Sequence, residues 1–119
     1  IHPTEEADAA LSKLQTTLRD TSKLATTVGY GPRFLHSTGQ LHKGDGGNGL
    51  FIQILADMPQ DAPIPDEAGD DASAMSFGTL KTAQALGDRQ ALLDNNRRVI
   101  RFDLSGSFTD TINKLMSDL

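Results

Sequence analysis

The chain has 119 residues, 37% of them hydrophobic and 5% aromatic, a formal net charge of −5 and no cysteine. That length suits one domain with a modest core of Leu, Ile, Ala and Val. The missing cysteines exclude a disulfide framework and a thiolate metal site. The acidic balance argues against generic nucleic-acid binding, which needs a basic face, but leaves room for a small anion at a local basic pocket.

No apolar run approaches the roughly 20 residues of a membrane span, and no signal peptide is visible. The missing cysteines fit a cytosolic origin, and a cytoplasmic location is expected. The chain opens at Ile1 without an initiator Met, as either a piece of a longer protein or a processed chain would.

Thr4 to Thr21 reads as an amphipathic helix, with Ala7, Ala10, Leu11, Leu14 and Leu18 at helical spacing. Glu5 and Glu6 in the first turn and Arg19 near the end suit the helix dipole. Leu24 to Val28 is predicted as a strand from its β-branched residues. A glycine turn and a helix across Gly31 to Gly44 follow, opened by Pro32 and closed by Gly44 as a left-handed cap.

Leu50 to Leu55 is almost continuously apolar, as in a strand covered on both faces. Residues 58–75 are acidic, carry Pro59, Pro63 and Pro65, and read as an irregular surface loop. Ser76 is a good N-cap for a helix to about Leu93, with Phe77, Leu80, Ala83, Leu86 and Leu93 on its apolar face. Gly87 inside it suggests a close contact or a kink. Val99 to Leu104 alternates as an edge strand. Ser107 caps a final helix with Phe108, Ile112, Leu115 and Leu119 on one face. The order α-β-α-β-α-β-α predicts one α/β domain, a three-layer arrangement around a parallel sheet of about three strands with helical crossovers.

The polar chemistry concentrates in Gly31 to Gly44. Backbone N–H groups at the Gly29 to Pro32 turn, with Arg33, suit an anion. They equally suit a turn without a ligand. His36 has the side chain for proton transfer near neutrality. On a continuous helix Arg33, His36 and Gln40 share one face, flanked loosely by Thr38 and Lys43, while Ser37, adjacent to His36, does not face it. His42 points elsewhere, as a surface residue near the helix end. Lys43 can pair with phosphate or carboxylate, or stand as a solvated charge. Metal-ligand spacing is missing, so no metal site is expected.

The run Gly-Tyr-Gly-Pro-Arg-Phe-Leu-His-Ser-Thr-Gly-Gln-Leu-His-Lys-Gly, residues 29–44, resembles the C-terminal region of glucose-6-phosphate isomerases, most closely the form fused to transaldolase. Asn48 to Leu55, Ser76 to Leu92 and Arg97 to Leu104 fit the same family. The resemblance implies part of a doubly wound sugar-isomerase domain, in an enzyme that interconverts glucose 6-phosphate and fructose 6-phosphate through a cis-enediol with no metal or organic cofactor. It implies that His36 assists ring opening and that Lys43, or alternatively Lys114, is the family's lysine. Arg33, Gln40, Ser37 and Thr38 would contact the sugar phosphate. The family's catalytic glutamate and main phosphate-binding serines belong to regions upstream of Ile1, so these 119 residues alone are expected to be inactive. The implied partners are a sugar-phosphate substrate, upstream domains and further copies in a homo-oligomer. Two rival readings are a non-catalytic assembly module of the same fold and a sugar-phosphate-binding module of the kind found in regulators.

Overall fold

A computed structural model describes residues 1–58 and 60–117, without the side chain of Thr38. Pro59 and Leu119, both named above, lie outside the described residues. The elements are α1 (Glu5–Ser22), a 3₁₀ turn (Arg33–His36), α2 (Thr38–Lys43), β1 (Leu50–Ala56), β2 (Pro63–Ile64), β3 (Met75–Ser76), α3 (Phe77–Asp94), β4 (Arg98–Leu104) and α4 (Phe108–Ser117). β1 and β4 pair as a two-stranded parallel sheet, and β2 and β3 as a short antiparallel ribbon. The class is mixed α/β. The strand expected at Leu24 to Val28 does not form: residues 24–30 adopt neither helix nor strand. β propensity makes a strand only where a neighbour offers a ladder, and none of these residues makes a backbone–backbone hydrogen bond among those described.

The chain divides into two compact units. The first comprises residues 1–30, 54–57 and 102–119. Thr4 caps α1 by accepting the Ala7 N–H at 3.1 Å, and Lys23 closes it in the left-handed region with φ 60°. The predicted stripe is the buried one: Ala7, Ala10, Leu11 and Leu14 are buried. Ala10 and Leu14 form the core with Ile112 of α4, and Leu18, Ile54, Phe108, Leu115 and Met116 pack around them. Ser107 accepts the Asp110 N–H and so caps α4 as expected.

Two side-chain bonds hold the extended segment to α1. Gln15 Nε2 donates to the Thr26 carbonyl at 2.6 Å, and the Tyr30 hydroxyl donates to Asp8 Oδ1 at 2.7 Å. Desolvation, and then the bond to Asp8, push the Tyr30 phenol up to about 12. The fold thus favours the protonated phenol. Its contribution to stability is complete below the ordinary tyrosine value near 10 and is lost as pH rises towards 12. Tyr30 is the single tyrosine, so phenolate absorbance reports it alone. The expected midpoint is about 12, with Asp8→Asn bringing it down. A midpoint at the ordinary value in the unsubstituted chain would show that the Asp8 contact does not persist in solution.

The second unit comprises residues 31–53 and 58–101. Ser76 caps α3 by accepting the Thr79 N–H at 3.1 Å, as expected. The expected apolar face of α3 is largely uncovered. Phe77, Leu80 and Leu86 are exposed, whereas Gly78 and Leu92 are buried. Periodicity defines a face of a helix, but burial needs a partner. The partners α3 meets lie elsewhere than over these three side chains: Gln53 Nε2 donates to the Ala85 carbonyl, and Lys43 pairs with Asp88. A side chain at Gly87 would meet nothing within 4 Å, so no close approach explains that glycine. β1 is likewise not covered on both faces, since Leu50 and Ile52 are exposed, as is Ile100 of β4.

The acidic segment is not irregular throughout. β2 and β3 close its base, where Phe77 N–H also bonds the Ala62 carbonyl. Further out, Asp66 accepts from Ala74 N–H and Asp70 from Ala72 N–H. These two carboxylates thus serve the loop's own backbone, Asp70 as an Asx turn does and Asp66 across its neck. No helix among the described residues is long and apolar enough to cross a membrane.

Candidate functional site

The polar segment 31–44 folds as two short pieces rather than one helix. Leu35 N–H bonds the Pro32 carbonyl and Ser37 N–H bonds the Phe34 carbonyl, giving the 3₁₀ turn. Ser37, at φ −135° and ψ −119°, interrupts it before α2 begins. The end differs too. Gly44, at φ −110°, is not a left-handed cap; its N–H bonds the Leu41 carbonyl at 3.3 Å.

The break has a packing origin. Gly39 is buried, and a Cβ there would lie 2.7 Å from the Phe34 carbonyl oxygen and 3.0 Å from the Phe34 ring. Phe34 therefore folds over Gly39. The His42 ring lies 5.8 Å from the Phe34 ring and 5.7 Å, edge on, from the Phe51 ring. His42 is thus half-buried between two aromatics, not the surface residue its position suggested.

Arg33 and His36 stand three residues apart in the 3₁₀ turn, a spacing that eclipses side chains. Both are exposed, and neither side chain has a hydrogen bond or ion pair among the described residues. Gln40 and Ser37 are also exposed. The interruption at Ser37 removes the continuous helix on which Gln40 shared a face with Arg33 and His36. Ser37 Oγ donates to the Phe34 carbonyl at 3.2 Å. The Thr38 side chain lies outside what is described. No strand precedes the Gly29 to Pro32 turn, so the expected strand-end anion cradle is not assembled there; Arg33 remains as an exposed cation.

Lys43 is engaged within the chain. Its Nζ lies 2.7 Å from Asp88 Oδ1 on α3, as an ion-pair approach rather than a directed hydrogen bond, and both side chains are largely buried. The alternative lysine, Lys114, is exposed on α4. No group of three or more His, Asp or Glu among the described residues has metal-binding geometry.

A second polar feature lies at the start of α3. Asp61 Oδ1 accepts from Gly78 N–H at 2.7 Å and from Ala62 N–H at 2.9 Å. The Ser76 hydroxyl first, then the Gly78 N–H, hold its carboxyl below the usual carboxylate range, with Lys81 assisting. A Cβ at Gly78 would lie 2.6 Å from Asp61 Oδ2, so only glycine leaves this carboxylate its place. The adjoining cleft, about 400 Å³, is lined by Asp61, Pro63, Ser73, Met75, Ser76 and Thr79. The helix terminus that would attract an anion already holds the chain's own carboxylate.

Sequence reasoning missed Asp61, Asp88 and Arg97. The Arg97 side chain reaches carbonyls of residues 54 and 55 positions earlier, and no local pattern announces such a contact. Comparisons with protein-family models, with curated proteins and with solved structures found no match.

Proposed function

We propose that the chain is the C-terminal part of a glucose-6-phosphate isomerase of the kind fused to transaldolase. The reading rests on the 29–44 run and on the Arg33–His36 pair within it, exposed and uncommitted. His36 accepts or returns a proton at the ring oxygen or the C1 hydroxyl as the sugar ring opens. Arg33 provides fixed positive charge for the phosphate or the developing enediolate. Proton transfer between C1 and C2 requires a base, which this reading assigns to the upstream glutamate of the family. Gln40 contacts the sugar, and the enzyme is a cytoplasmic homo-oligomer belonging to a sugar-isomerase fold.

Lys43 takes a different role from the one the resemblance suggests. Held by Asp88, it ties α2 to α3 instead of meeting the sugar. That engagement, with the family's glutamate assigned upstream, favours as second reading a non-catalytic or sugar-phosphate-binding module of the same fold.

The test compares the 119 residues with a chain extended by the upstream domains, in a coupled assay for hexose 6-phosphate isomerisation. The 119 residues are expected to show no turnover. The extended chain is expected to be active, with His36→Ala lowering kcat by about 10²–10⁴-fold, the usual contribution of a general acid–base. Turnover by the 119 residues would refute their inactivity, and an unchanged rate in His36→Ala would remove it from the mechanism. An extended chain that binds glucose 6-phosphate without turning it over would establish the second reading.

A further inference from the structure

α3 ends with Asn96 in the left-handed region at φ 58°, and the Arg97 N–H bonds back to the Leu92 carbonyl at 2.9 Å. The chain reverses there, and the Arg97 side chain, only 10% exposed, turns inward. Its guanidinium serves five acceptors. Nη1 donates to the Asn95 carbonyl at 2.8 Å. Nη2 donates to the carbonyls of Asp45 at 2.8 Å and Lys43 at 3.3 Å, and Nε to that of His42 at 3.4 Å. Nη2 also pairs with Asp45 Oδ1 at 2.9 Å. That same Oδ1 accepts the Gly47 N–H at 2.9 Å, and Gly47 has φ 81°.

The His42 and Lys43 carbonyls lie at the C-terminus of α2, where a helix has no N–H donors of its own for its last carbonyls. With six residues, α2 is far below the length at which a helix holds itself together in water. Its geometry must come from outside, and Arg97 is the nearly buried group that grips its end. From there the connection is continuous: the His42 backbone is fixed, its ring meets Phe34, and Phe34 sits in the 3₁₀ turn with Arg33 and His36.

We propose that Arg97 is the positioning residue for the Arg33–His36 pair, acting through α2 and the His42–Phe34 contact. It does not touch the ligand, because the chain itself takes up the fork. Lysine cannot replace it. A single ammonium retains the charge but not the planar set of donors that spans these acceptors. The functional half of this proposal rests on the reading given above; the structural half does not.

The experiment uses the full 119-residue chain, Arg97→Lys and the milder Asp45→Ala, which removes only the carboxylate arm. Histidine side-chain resonances are recorded by NMR, and amide exchange is followed along the chain. The chain extended by the upstream domains is recorded alone and with millimolar glucose 6-phosphate. In Arg97→Lys the His42 ring resonances should leave their aromatic-shifted positions, and the His36 resonances should move with them. Exchange from Gln40 to Gly44 should rise at least about tenfold, as local opening becomes easier. The α1 and α4 amides should be unchanged. Asp45→Ala should give smaller changes of the same sign. Affinity for glucose 6-phosphate, measured in the chain extended by the upstream domains, should fall about tenfold in Arg97→Lys, as preorganisation is lost.

Unmoved His36 and His42 resonances in Arg97→Lys would overturn the proposal. So would an affinity loss with both rings unmoved, which would make Arg97 a ligand contact. Changes spreading equally through α1 and α4 in both variants would also overturn it, by making Arg97 a general fold residue. If glucose 6-phosphate leaves His36 unmoved in the unsubstituted chain extended by the upstream domains, the functional reading fails, and the resonance and exchange data on the 119 residues still decide the role of Arg97.

Discussion

Replacing Ile112 with alanine should destabilise the unit built on α1 and α4 by about 2–5 kcal/mol, the usual cost of deleting most of a buried aliphatic side chain. Ile112 is 1% exposed and is the largest fully buried side chain among the described residues. It meets Ala10 and Leu14 of α1 directly. Two of its neighbours, Leu115 and Met116, are only half-buried. Alanine at either would leave less of a cavity, because water already reaches part of the space. At Ile112 neither alanine nor water fills the gap, so lost transfer energy and lost contacts add. Urea unfolding followed by helical circular dichroism, together with amide exchange in α1 and α4, measures the effect. Ile112→Val should cost only about 0.5–1.5 kcal/mol. Equal losses from the two substitutions, or an alanine variant within about 0.5 kcal/mol of the parent, the ordinary range of a surface change, would show that the unit is not packed around Ile112.

The elements with both a period and a boundary were readable in advance. α1 has its stripe and Thr4, α3 has Ser76, and α4 has Ser107; each cap bonds the N–H that its position implies. β1 and β4 were readable from apolar continuity and alternation. Expectations failed where a local pattern needs a distant partner. Leu24 to Val28 has strand residues but no ladder. Phe77, Leu80 and Leu86 have helical spacing but remain substantially exposed. The candidate site divides in the same way. The exposed Arg33 and His36 were identifiable from residue type and motif. Whether a lysine is free or engaged depends on what α3 brings near it, and that fixed Lys43 on Asp88. His42 was misjudged because Phe51, one of its two ring partners, comes from another element.

Gly39→Ala should disturb the candidate site more than a substitution at any of its exposed polar residues. On helix propensity alone alanine would gain about 1 kcal/mol over glycine. Gly39 is in α2 with no positive φ recorded, so the backbone itself accepts a side chain. Steric overlap decides the sign. The new Cβ would lie 2.7 Å from a backbone oxygen, Phe34 O, and 3.0–3.1 Å from two ring carbons of the same residue. A side-chain tip could swing away, but this oxygen belongs to the 3₁₀ turn and accepts from both the Ser37 N–H and the Ser37 hydroxyl. Moving it opens the turn. Overpacking of this kind costs about 1–3 kcal/mol, which outweighs the propensity gain across most of that range. Phe34 would lose its seat over Gly39 and its contact with His42, and Arg33 and His36 would shift with the turn. His42 ring shifts should therefore change in Gly39→Ala as they do in Arg97→Lys, although the two positions act on opposite ends of α2. Gly87→Ala, where a Cβ meets nothing within 4 Å, is the internal control. It should stabilise α3 by up to about 1 kcal/mol through propensity alone. If Gly39→Ala raised the midpoint of thermal unfolding as Gly87→Ala should, Phe34 would not pack on Gly39 in solution. The aromatic link from α2 to the Arg33–His36 pair would then be lost with it.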